Sequence, residues 1–186
     1  MHEGEVDTSP ALVRQLLAGQ FPRWADLPLK RVASAGTDHA IYRLGEDKAV
    51  RLPRIDWATG QAAKEMHWLP RLAPQLPLAV PEPLALGEPA AGYPWHWSVY
   101  RWLPGQNMTI DTLMNPAATA VTLAHFLNAL QQIDTSGGPL AAEHDLRGRP
   151  LISRDDATST AIAALHGMFD AAMLTAIWEA ALQAPE

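Results

Sequence analysis

Up to Trp102 the apolar residues fall in short alternating runs broken by turns; beyond the linker LPGQ they fall at helical spacing among alanines. Period-2 and period-3.6 patterns cannot exchange roles, so this ordering predicts strands in the first half and helices in the second. The fold class expected is α+β, in two lobes. Ser9-Pro10 opens a helix with a serine cap and a proline at the first helical position, Leu12, Val13, Leu16 and Leu17 form its stripe, and Gly19 ends it. LKRVAS, HAIYRL and KAVRL read as three strands separated by AGTD and GED. Residues 56–69 read as a helix stopped by Pro70, Pro74 and Pro77, PLAVPEPLALGEP as an extended crossing with one short strand, and YPWHWSVYRW as a strand. Helices are expected over about 116–133, 154–167 and 170–183.

Composition narrows the chemistry. The 186 residues carry 14 Lys and Arg against 20 Asp and Glu, a net charge of −6, and no basic block, which argues against nucleic acid and anionic membranes as partners. With no cysteine there is no disulfide, thiolate metal site or cysteine nucleophile. MHEGEVDTSP is not a secretory signal and no apolar run approaches a membrane span, so a soluble cytoplasmic protein is expected. The seven histidines are scattered without HExxH-type spacing, so no metal site is expected, and GxSxG is absent.

Two charges sit where apolar residues belong. Arg51 interrupts a strand between Val50 and Leu52, and Glu65 is the lone carboxylate on the stripe Ala58, Ala62, Glu65, Leu69, Leu72. A buried carboxylate requires a partner, and a strand followed by a helix packed on it can bring the two together. On pattern alone a structural ion pair, or a helix phase off by one residue, accounts for them at least as well as a binding role. The tryptophan-rich strand alternates Trp95, Trp97, Val99 and Arg101 with His96, Ser98, Tyr100 and Trp102. Such a row can stack on sugar rings, but filling the underside of a small sheet is the favoured reading. Arg147, Arg149, Arg154, Asp155 and Asp156 cluster at a helix start, where Ser153 or Asp155 would cap.

The order of parts is that of a kinase N-lobe, in which a third-strand lysine pairs with a helix glutamate and holds nucleotide phosphates. The segments VASAGTDHAIYRLGEDKAVRLPR, KEMHWLPRLAPQLPLAVPEPLALGEP, GYPWHWSVYRWLPG and RGRPLISRDDATSTAIAALHG closely resemble the aminoglycoside phosphotransferase family. The resemblance implies a protein-kinase-like fold: a small antiparallel-sheet N-lobe with one packed helix over 1–103, then the first part of a helical C-lobe over 104–186. It implies that Ser34, Gly36, Thr37 and Asp38 close over nucleotide phosphates, and that Arg51 holds phosphate, oriented by Glu65. Tyr100 would be the gatekeeper, with Arg101 C=O and Leu103 N–H on the purine edge. Arginine replaces the usual lysine, and the loop has one glycine where protein kinases have three.

In that family a tyrosine gatekeeper goes with good use of GTP, so the implied donor is ATP or GTP with Mg2+. The implied acceptor is a hydroxyl of an aminoglycoside-like or macrolide-like small molecule, as in antibiotic resistance. The region near Arg154 would rim the acceptor site. One departure outweighs these matches: neither the His-Gly-Asp-x-x-x-x-Asn loop nor the Ile-Asp-Phe/Trp-Gly metal motif is present. EHDLRGRP has no Asn at the required spacing, and LHGMFD has Met where Asp belongs. The expectation is the front part of a phosphotransferase, either a truncated product or one piece of a longer polypeptide, without catalytic residues or Mg2+ ligands, inactive alone and self-associating through an uncovered apolar face. The alternative is a non-catalytic nucleotide- or carbohydrate-binding or interaction protein.

Overall fold

The structure is a computed structural model that describes residues 4–33, 36–138 and 150–184. The chain packs as two compact units, Met1–Ile133 and Asp134–Glu186.

The first unit is organised by an antiparallel sheet of five strands in the order β1-β2-β3-β5-β4, with β1 at Leu29–Arg31, β2 at His39–Leu44, β3 at Lys48–Pro53, β4 at Pro83–Gly87 and β5 at Trp97–Arg101. Gly45, at φ +59°, opens the tight turn between β2 and β3, a conformation that costs glycine nothing. Alternation then sorts the side chains. Tyr42 pairs with Val50 and Val50 with Val99, so these three share a face with Ala40, Leu44, Leu52 and Trp97. Helix α1 (Pro10–Gln20) closes that face with Val13, Leu16 and Leu17, all buried. Each such side chain removed from water contributes about 1.5–3 kcal/mol.

Trp97 lies in this core, edge-on to Phe21 at 5.3 Å, so the underside-filling reading of the tryptophan strand holds and this indole cannot stack on a sugar. Its ring lies flat over Gly87, where an added Cβ would stand 2.1 Å from the indole. Polar groups buried nearby are satisfied: the Tyr42 hydroxyl accepts from Arg31 and donates to the Thr8 carbonyl, and Tyr93 donates to the Pro53 carbonyl.

The opposite face of the sheet is covered differently. Ile41 pairs with Arg51 and Arg51 with Ser98, so this face carries Ile41, Ala49, Arg51, Ser98 and Tyr100, with His39 two residues back along β2. Helix α2 (Gln61–Leu72) packs beside it against β4. Arg51 therefore does not interrupt the core; it points away from it.

Several boundaries differ from those the sequence predicts. Gly19 does not end α1, which runs to Gln20 and is closed by the Phe21 N–H on the Leu17 carbonyl, with the Phe21 ring seated on Trp24 and Trp97. The expected 56–69 helix is a 3₁₀ turn, Asp56–Ala58, followed by α2, which carries Pro70 inside its last turn. A proline there loses one ladder bond, and the chain continues through another 3₁₀ turn at Ala73–Gln75.

Helix α3 (Pro116–Gln131), capped by Asn115 on the Ala118 N–H, completes the first unit. The second unit holds α4 (Asp155–Ala164) and α5 (Ala171–Leu182), the latter capped by Asp170. Neither Ser153 nor Asp155 caps α4, because a 3₁₀ turn, Leu151–Arg154, leads straight into it. The Ser153 hydroxyl bonds the Pro150 carbonyl, and Asp155 accepts from the Trp178 indole at 2.7 Å. Arg147 and Arg149 lie outside the described residues. No helix among the described residues is long and apolar enough to cross a membrane.

Candidate functional site

The face that carries Arg51 also carries the pair expected from the sequence. Arg51 Nη1 donates to both carboxylate oxygens of Glu65, at 2.6 and 2.7 Å. Both side chains are 27% exposed, which leaves the pair neither sealed from water nor free in it. The helix phase is therefore the expected one. Glu65 accepts further from the Tyr100 hydroxyl on its Oε2. Burial first, then this bond to the carboxylate, pushes the Tyr100 phenol up to about 12, so it remains a donor at neutral pH.

Two residues that the sequence did not single out complete the cluster. Arg51 Nη2 donates to Gln61 Oε1 at 3.0 Å and lies 3.4 Å from His39 Nδ1. A guanidinium has no acceptor, so the second contact is a hydrogen bond only when Nδ1 is unprotonated. Burial, and next the Arg51 charge, lower the His39 pKa to about 4, against weaker opposition from Glu65 and Asp38. The ring is thus neutral at neutral pH, and in its Nε2–H tautomer Nδ1 accepts from Arg51. Gln61 stands one helical turn before Glu65, and His39 shares the strand face of Ile41, so periodicity held both signals.

A cavity of about 350 Å³ opens beside this cluster, lined by Arg51, Glu65, Tyr100, Arg101, Trp102 and Leu103 among others. That volume falls at the lower end of small-molecule sites. The end of β5 contributes to its lining; there the Arg101 N–H is bonded to the Glu82 carbonyl and the Trp102 N–H to the Asp47 carbonyl, which hold the strand end in register. The Arg43 guanidinium lies over the Trp102 ring at 4.4 Å. The Arg101 side chain is paired with Glu82, its Nε 2.5 Å from the carboxylate.

Of the loop residues, Gly36, Thr37 and Asp38 immediately precede β2. Gly36 lines a second cavity of about 350 Å³ with Arg31, His39, Ile41 and Arg54. The Thr37 hydroxyl donates to Asp38 at 3.0 Å, and the Arg54 N–H and side chain bond the Asp38 and Thr37 carbonyls. Arg54 in turn pairs with Glu5. Ser34 lies outside the described residues. Among the described residues no group of three or more His, Asp or Glu side chains could hold a metal ion.

The model of a phosphotransferase enzyme family matches residues 30–186. The chain belongs to that family. Its fold is similar to solved aminoglycoside phosphotransferases, and is kinase-like. A GDP complex of a mutant aminoglycoside 2'-phosphotransferase-IIIa superposes with a TM-score of 0.71 at 19% identity, over 95% of this chain and 60% of that one. A GDP and kanamycin complex of APH(2")-IIia gives 0.68 at 20% identity, over 93% and 59%. A streptomycin-ATP-APH(2")-IIa ternary complex gives 0.52 at 16% identity, over 92% and 56%. The chain thus spans about 60% of the length of these relatives. No curated protein matches it.

Proposed function

We propose that this chain supplies the nucleotide-holding half of an ATP- or GTP-dependent phosphotransferase acting on a hydroxyl of an aminoglycoside-like or macrolide-like small molecule. The observation that carries the reading is the charged pair itself. A strand arginine gripped by a helix glutamate lines a cavity of about 350 Å³ to which the end of β5 also contributes. The guanidinium attracts a phosphate through its charge and its Nε–H, since Nη1 is taken by Glu65 and Nη2 by Gln61 and His39, and Glu65 fixes its orientation. The base would lie against Tyr100, with the Arg101 carbonyl and Leu103 N–H on its edge. Ser34, Gly36, Thr37 and Asp38 would cover the phosphates. Relatives solved with GDP, ATP and aminoglycosides support both ligand classes. In this reading the lobe boundary falls after Leu103, with 1–103 binding nucleotide and 104–186 beginning the helical lobe.

Magnesium, when bound, neutralises charge on the transferring phosphate. The described residues offer it no cluster of three or more His, Asp or Glu side chains. The 186 residues contain no His-Gly-Asp loop to position an acceptor hydroxyl. We therefore expect no transfer by these residues alone. A second reading is nucleotide binding without catalysis. Exposed apolar side chains such as Ile110 and Met114, 93% and 95% exposed, fit self-association of the isolated chain.

Thermal melts with non-hydrolysable GTP or ATP analogues test the nucleotide site, and a coupled phosphoryl-transfer assay tests catalysis. The expected results are a concentration-dependent rise in melting temperature and no turnover above a heat-killed control. No rise with either analogue at millimolar concentration would refute the binding reading. Turnover by this chain would refute its predicted inactivity.

A further inference from the structure

In the kinase-like arrangement the strand cation is ordinarily lysine, whereas position 51 is arginine. A lysine presents one ammonium on a flexible stem; a guanidinium presents two terminal nitrogens in a fixed plane. Here the two are used separately. Nη1 is committed to Glu65, and Nη2 meets two more acceptors, Gln61 Oε1 on α2 and His39 Nδ1 on β2. An ammonium seated on Glu65 could not also reach both, and would leave two half-buried acceptors without their cation. Glu65 alone would let the guanidinium pivot about one contact. The second pair of acceptors, contributed from two different elements, fixes its plane.

We propose that Gln61 and His39 are positioning residues that hold the second amino group of Arg51, fixing the guanidinium plane for a nucleotide phosphate and making the site selective for arginine over lysine. The proposal rests on the phosphate-holding reading of Arg51 given above. Neither residue need touch the ligand; both act through Arg51. The neutral His39 ring is suited to this, because protonation of Nδ1 would replace an acceptor by a like charge beside the guanidinium.

The test is a double-mutant cycle read by calorimetric titration of the whole chain with a non-hydrolysable GTP analogue. Arg51→Lys, which keeps the charge, is expected to weaken binding about tenfold or more. His39→Leu and Gln61→Ala are each expected to cost about fivefold with arginine at 51 and nothing further with lysine there. His39→Asn, whose amide oxygen can replace Nδ1 as acceptor, is expected to restore most of the His39→Leu loss at unchanged melting temperature. Wild-type affinity in Arg51→Lys, or equal losses in the arginine and lysine backgrounds, would overturn the proposal. The pairing is also read without nucleotide, from the ¹⁵N resonance of His39 Nδ1, which Arg51→Lys is expected to shift. If that resonance responds while wild type binds no nucleotide, the arginine-selective pairing stands and the phosphate reading fails. An unresponsive resonance overturns the pairing itself.

Discussion

Replacing Arg51 by Met keeps most of the aliphatic stem and removes only the guanidinium, so its cost isolates what the charge contributes to stability. Glu65 would lose both Nη1 bonds and keep only the Tyr100 hydroxyl. A fully buried carboxylate stripped of its cation costs about 3–5 kcal/mol, and an exposed pair about 0–1 kcal/mol. At 27% exposure water can reach Glu65 but cannot fully solvate it. The loss of bonds to a charged acceptor therefore sets the scale, about 2 kcal/mol. For a chain of this size that corresponds to a fall of about 6 °C in melting temperature. Urea unfolding followed by circular dichroism measures the same quantity independently. A second change supplies the sign: Glu65→Gln in the Arg51→Met background removes the orphaned charge and should recover more than half of the loss. A loss under about 0.5 kcal/mol would mean that the pair is solvated and orders nothing. A loss above about 4 kcal/mol would mark a sealed structural pair, unsuited to meeting a ligand.

Other perturbations address the scaffold and the cluster. Gly87→Ala drives a Cβ to within 2.1 Å of the fully buried Trp97 indole and should destabilise by about 1–3 kcal/mol or more, whereas an unchanged melt would refute this packing. Because the His39 pKa is lowered from 6.5 to about 4 by burial and by Arg51, the unfolded chain binds the extra proton in that interval. The stability difference between wild type and His39→Asn should therefore shift against wild type as pH falls from 6.5 to about 4 and level off below; parallel profiles would contradict it. Light scattering should detect concentration-dependent association of the isolated chain, and a monomer at all concentrations would count against an uncovered apolar face.

Much of this architecture was readable because two periods coincide at one place. Alternation puts Arg51 on the face opposite Val50 and Leu52, and helical spacing puts Glu65 in line with Ala62 and Leu69, although Ala58 of the expected stripe lies in the separate 3₁₀ turn. The tryptophan strand was readable for the same reason: Trp97 and Val99 share the core face with Val50. Gln61 was not, since a polar residue in the first turn of a helix reads as solvated unless its i+4 neighbour is already known to face a cation. His39 was read only for metal spacing, and its role depends on strand register, which a sequence fixes weakly. Gly19 and Pro70 mislead as stop signals because tertiary contacts decide where α1 and α2 end. The absent cap at Ser153 or Asp155 has a local cause, since the 3₁₀ turn Leu151–Arg154 runs straight into α4.

The decisive measurement is a side-by-side calorimetric titration of wild type and Arg51→Met with a non-hydrolysable GTP analogue. If Arg51 holds phosphate, wild type binds saturably and the variant binds about 10- to 150-fold more weakly, the equivalent of about 1.5–3 kcal/mol for a charge-assisted donor. Equal affinities in the two proteins, or no heat of binding in wild type at millimolar analogue, would contradict a nucleotide phosphate at Arg51.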